Sequence, residues 1–174
     1  MNAKLYKVQG LLFVLLAFFI PISIFVTDIL IFSISLLWIL QGQFKNKWKI
    51  IRSSKWMISI IALLGLYIFG LLWGEFHSNA LWTLEKTALL LFLPILYSSS
   101  LSQDVIKKSL IAFLTSLTFS SVLALLISFK IIPRLAKISD LFSNSYGMSA
   151  FMDYNYHNLF LAFALLISIT ALFK

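Results

Sequence analysis

Residues 11–40, LLFVLLAFFIPISIFVTDILIFSISLLWIL, hold one charged side chain, Asp28. One helix of that length would run ~45 Å at ~1.5 Å per residue, against a hydrocarbon core of ~30 Å. The stretch therefore predicts two membrane spans joined by a tight turn at Val26-Thr27-Asp28. Pro21 would kink the first span, which neighbouring helices tolerate in a membrane. Asp28 would cap the second. One tilted span with an interfacial end is the other arrangement this length permits.

The rest of the chain has the same character. Hydrophobic residues make up 61% of the 174 and charged residues only 11%, and the mean hydropathy is +0.98. A soluble globule carries about a quarter charged residues, so this composition predicts an outer surface that faces lipid. The net charge of +8 does not point to nucleic acid, because the basic residues cluster in short segments between apolar runs. The absence of cysteine excludes disulfides, thiolate metal sites and a cysteine nucleophile. No Gly-rich phosphate loop and no Ser-His-Asp spacing occurs, which argues against nucleotide-dependent enzymes. MNAKLYKVQG followed by an apolar core has the opening of a signal peptide. No small-residue cleavage site follows, so the first span is expected to stay.

QGQFKNKWKIIRSSK, residues 41–55, holds Lys45, Lys47, Lys49, Arg52 and Lys55 and no acid. By the positive-inside rule this loop is cytoplasmic. Lys4 and Lys7 place the N-terminus on the same side, which requires an even number of spans between them. Continuing along the chain, the expected fold class is all-α, a polytopic helical bundle in one transmembrane domain. It has about six helices, N-in and C-in, at about 9–25, 28–41, 56–73, 84–98, 109–129 and 156–173. Ten of the fourteen basic residues then lie inside, and Lys86, Lys130, Arg134 and Lys137 outside. Trp38, Trp48, Trp56, Trp73 and Trp82 read as interface anchors.

Residues 130–158, KIIPRLAKISDLFSNSYGMSAFMDYNYHN, form the one long polar island. Pro133 suits the first turn of a helix. From there Leu135, Ile138, Leu141 and Phe142 share one face and Arg134, Lys137 and Asp140 another. This is the pattern of a surface helix. Lys130, Arg134 and Lys137 either meet anionic headgroups or offer a patch for a phosphate or pyrophosphate. Ser143–Ala150 is turn-rich. In FMDYNYHN, Asp153 and His157 are four apart, as are Tyr154 and Asn158. A His oriented by a carboxylate acts as a general base or holds a hydroxyl. Alternatively Asp153 only caps the helix and the tyrosines form an interfacial belt. Asn155, His157 and Asn158 are the polar groups placed to line an external cavity. Two histidines without a carboxylate cluster make a poor metal set, and no metal or cofactor is expected. Thr115, Ser116, Thr118, Ser120 and Ser121 form a polar stripe of the kind that mediates helix packing.

Four features together carry a family resemblance: LLAFFIPISIF, the basic QFKNKWKIIRSSK, GLLWGEFHSNALWTLEKTALLLFLPILY and YNYHNLFLAFALL. On these the chain resembles the N-terminal half of the O-antigen ligase and polymerase family of bacterial envelope glycosyltransferases. The resemblance implies a multi-pass protein of the bacterial inner membrane, roughly twice this length. It would transfer a glycan from an undecaprenyl-pyrophosphate carrier to a glycan or lipid acceptor, without nucleotide sugar or metal. The family's catalytic residues lie in an external loop of the C-terminal half, so none is carried onto this sequence. The chain alone is expected to lack the main catalytic loop. A small polytopic transporter or a structural membrane subunit is the rival reading. A transporter would call for charges in mid-span.

Overall fold

The computed structural model describes residues 3–73, 89–129 and 154–172, all of the regular structure there being helical. In chain order the helices are α1 (Ala3–Phe19), α2 (Ile24–Leu40), α3 (Phe44–Ser53), α4 (Lys55–Trp73), α5 (Phe92–Ser98), α6 (Gln103–Ser128) and α7 (Tyr154–Leu172). A 3-10 turn, Leu89–Leu91, leads into α5. The chain divides into two compact units, Met1–Ile34 with Ser102–Lys174, and Ser35–Leu101.

The first turn of the chain lies six residues earlier than the sequence suggests. Pro21 ends α1 rather than kinking it, because it has no N–H for the Ala17 carbonyl and its ring opposes a continuing helix. The Ile22 and Ser23 amides both turn back to the Phe19 carbonyl, at 2.9 Å each. Ser23 then starts α2. Its hydroxyl accepts from the Val26 amide at 3.4 Å, and its carbonyl accepts from the Thr27 amide at 3.0 Å. Val26, Thr27 and Asp28 therefore lie inside α2 rather than in a turn, and Ser23, not Asp28, holds the cap position.

In the first unit, α1 packs along α6. Gly10, in the middle of α1, faces Val105 near the start of α6: a Cβ on Gly10 would sit 3.0 Å from the Val105 Cγ2. Eight residues on, Phe18 meets Ser116, whose hydroxyl donates to the Phe18 carbonyl at 2.5 Å. The two helices thus run parallel. Small residues at the seam let the backbones approach, and Gln9, Phe13, Leu16, Ser116, Leu117 and Ser120 are all buried. Helix α7 runs antiparallel to α6. Phe160 meets Phe113 edge-on at 5.9 Å, and His157, three residues earlier, meets Ser121.

The sequence places a loop between the second and third spans, but most of it is helix α3. Gly42 (φ 64°) and Gln43 (φ 57°) are consecutive left-handed residues, and α3 leaves them bent by 116° from α2. Within the second unit, Lys47 and Ile51 are the buried face of α3. The C-terminus of α2 leaves its last carbonyls without intrahelical donors. The Lys47 ammonium donates to one of them, Trp38, and lies 4.5 Å over the indole ring. The Trp38 indole N–H in turn donates to the Ser98 hydroxyl at 2.9 Å, tying α2 to α5. Trp38, one of the expected interface anchors, is half-exposed and packed against Lys47 and Ser98. Trp48 and Trp56 are exposed.

Helix α6 also starts earlier than expected. Ser102 caps it by accepting from the Val105 amide at 3.3 Å. Asp104 and Lys108 pair at 2.8 Å across its first turns. So 103–108, expected as loop, is helix. Among the described residues, α6 over Gln103–Ile127 is the one helix that by length and composition suffices to cross a membrane, with a mean hydropathy of 2.3 in its most apolar window. Leu5–Phe19, Lys55–Gly70, Leu89–Ser98 and His157–Ser168 are shorter apolar helices, and α2 with α3 passes only as a bent pair.

Much of the outside of these helices is apolar. Trp56 is 81% exposed, Phe25 72% and Leu66 71%. The exposed Thr115 and Thr118 hydroxyls donate to their own i−4 carbonyls at 2.8 Å.

Candidate functional site

The polar residues that the sequence singled out are only partly drawn together. Lys130, Arg134, Lys137 and Asp153 lie outside the described residues. Asn155 falls in the first turn of α7, and its side chain also lies outside them. His157 and Asn158 are described, and they part company. Consecutive residues on a helix point about 100° apart, and here His157 is buried at 6% exposure while Asn158 is exposed. Asn158 therefore does not share the environment of His157.

His157 reaches α6. Its Nε2 lies 3.3 Å from the Ser121 hydroxyl, and that hydroxyl donates to the Leu117 carbonyl at 2.8 Å. A hydroxyl has one proton to give. With it committed to Leu117, the hydrogen-bond network assigns Nε2 as the donor to Ser121. Nδ1 is then the bare acceptor, and among the described residues it is buried without a hydrogen-bond partner. Beside Ser121 in the chain, the fully buried Ser120 hydroxyl is likewise unpartnered.

An imidazole held in this tautomer can accept a hydrogen bond, or a proton, from a hydroxyl brought to Nδ1. The helix pair fixes the ring from the Nε2 side, and Nδ1 is buried on the other. Among the described residues no three His, Asp or Glu side chains stand together to hold a metal ion.

No family model, no curated protein and no solved structure matches the chain. Its function is therefore read from its own residues. Sequence reasoning singled out His157 but paired it with Asp153. The partner that the structure supplies is Ser121, which the sequence places in the packing stripe. Spacing between α6 and α7 gives no local pattern from which that contact could be found. The stripe reading holds for Ser116, whose hydroxyl bridges α6 to α1.

Proposed function

We propose that the chain is a multi-pass protein of the bacterial inner membrane, with about six spans, N-in and C-in. It takes part in moving a glycan from an undecaprenyl-pyrophosphate carrier to a glycan or lipid acceptor. The membrane part is supported by the apolar exterior and by the parallel pairing of α1 with α6. Parallel neighbours cross in the same direction, so an odd number of spans lies between them. The three spans expected between the first and the fifth fit, and the antiparallel α7 adds the return.

The observation that carries the chemical part is the buried His157 with its unpartnered Nδ1. In the proposed step an acceptor hydroxyl attacks the sugar C1. The C1–O bond to the pyrophosphate breaks with inversion, and the pyrophosphate leaves with the electron pair. His157 Nδ1 takes the acceptor's proton, or holds a sugar hydroxyl in place. Arg134 and Lys137 neutralise the leaving pyrophosphate, a preorganised electrostatic role.

The test is transfer of lipid-linked glycan in membranes carrying the protein, with expression matched. Arg134→Ala with Lys137→Ala should lower transfer, and His157→Gln should lower it by about 10²–10⁴ if the proton transfer is rate-limiting. Unchanged transfer in both variants removes these residues from the site.

A further inference from the structure

Helix α3 has three faces, and two of them are exposed. Lys47 and Ile51 turn inward. Phe44 and Trp48, four residues apart, are half exposed and form a second stripe. Lys45, Lys49 and Arg52, spaced i, i+4 and i+7, form the third, and all three are exposed. This cationic stripe runs about 10 Å along the helix at ~1.5 Å per residue. The nearest acids in sequence are Asp28 and Glu75, so no carboxylate on the helix or next to it in the chain neutralises the stripe.

The 116° bend from α2 matters for orientation. If α2 crosses the bilayer, α3 runs along the surface, where an aromatic stripe seeks the acyl boundary and cations seek phosphate. We propose that α3 is a binding site for anionic phospholipid headgroups, with Lys45, Lys49 and Arg52 on the lipid phosphates and Phe44 and Trp48 seated beneath them. The proposal rests on the membrane reading and is independent of glycan transfer. It differs from a topology signal, which needs only charge somewhere on the cytoplasmic side. The stripe is a fixed array: α3 is anchored on its inner face by Lys47 against Trp38.

The test uses the purified full chain in mixed micelles of phosphatidylglycerol and phosphatidylcholine, with retained lipids counted by native mass spectrometry. A cation near an anionic surface is worth roughly fivefold in affinity. The triple variant Lys45→Gln, Lys49→Gln, Arg52→Gln should therefore lose on the order of a hundredfold of the preference for phosphatidylglycerol. Lys7→Gln, Lys107→Gln, Lys108→Gln removes as many charges elsewhere and should lose less than about fivefold. Lys45→Arg with Lys49→Arg should keep the preference. Equal losses in the two triple variants overturn the site, as does abolition of the preference by inorganic phosphate. Carbonate extraction of native membranes separates the two levels. A chain released by carbonate overturns the membrane reading, and one retained without α3-dependent preference overturns this proposal alone.

Discussion

Two serines one turn apart on α6 should respond differently to the same substitution. Ser116 is fully buried and donates to the Phe18 carbonyl at 2.5 Å. That carbonyl has no amide of its own helix, because the Ile22 N–H turns to Phe19 instead. Ser116→Ala removes one oxygen, so the cavity left is negligible. What remains is a buried carbonyl with no donor. Stranding such a group costs about 1–3 kcal/mol in water-soluble proteins, while interhelical bonds in membranes measure ~0.6 and at most ~1.7 kcal/mol. A loss of about 1–2 kcal/mol is expected. At about 2–4 °C per kcal/mol for a chain of this size, the midpoint should fall by roughly 2–8 °C. Ser120 is equally buried, but its hydroxyl has no partner to lose, so Ser120→Ala should lie within about 0.5 kcal/mol of the parent. Thermal unfolding of the two variants in one detergent measures the difference. Pro21→Ala supplies a second check: with a helix able to continue past residue 20, an amide can take up Phe18, and Ser116→Ala should then cost less. Equal midpoints for Ser116→Ala and Ser120→Ala would refute the assignment of Ser116 as the donor that closes the end of α1.

Burial holds the Lys47 ammonium below its ordinary value of 10.5 through desolvation. The unfolded chain therefore keeps that proton to higher pH than the folded one, so stability should rise with pH through the alkaline window below 10.5. The difference between the parent and Lys47→Met, followed by unfolding against pH, should show that slope, and a flat difference would exclude the shift. Trp38→Phe and Ser98→Ala should each weaken the second unit, with a double-mutant coupling of about 0.5–1.5 kcal/mol for the indole bond. Gly42 needs a left-handed backbone (φ 64°) with open space around its Cβ position, so Gly42→Ala should cost about 1–2 kcal/mol from conformation alone. At Gly10 the constraint is space. Gly10→Leu would press on Val105 and should cost about 1–3 kcal/mol, read from the same thermal unfolding.

The helices were legible because apolar runs and breakers are local. Trp56–Trp73 and the sixth run come out within about two residues of α4 and α7 at either end. The errors have one physical source each. At Pro21 the missing N–H outweighs the membrane's tolerance of a kink, and the chain takes the turn. At 41–55 helical periodicity outweighs charge density. Five cations in a short stretch look like a solvated loop, yet Lys47 and Ile51 are spaced to share a helix face with the charges turned away. A lysine buried as a helix cap was not visible, because its partner is the carbonyl of Trp38, an atom every residue has.

The described polar contacts obey one rule, and that rule bears on His157. In an apolar chain the backbone groups freed at a helix end must find donors. At the end of α1 Ser116 supplies one, and at the end of α2 Lys47 does. Unpartnered buried oxygens on serines, such as Ser109 and Ser120, weigh little against the rule. A serine hydroxyl needs only to rotate to reach the carbonyl four residues back, as Ser121 does at 2.8 Å. An imidazole has no such escape. With Nε2 engaged on Ser121, no described residue pairs with Nδ1 of His157. Leaving a ring nitrogen bare costs stability that a Leu or Phe at this position would not. A packing role and a role in accepting a proton or a hydroxyl make different predictions for this histidine. His157→Asn and His157→Leu separate the two. If binding is the role, Leu should stabilise the fold by about 1 kcal/mol or more while abolishing transfer. If packing is the role, both variants should destabilise and any loss of transfer should follow the loss of folded protein.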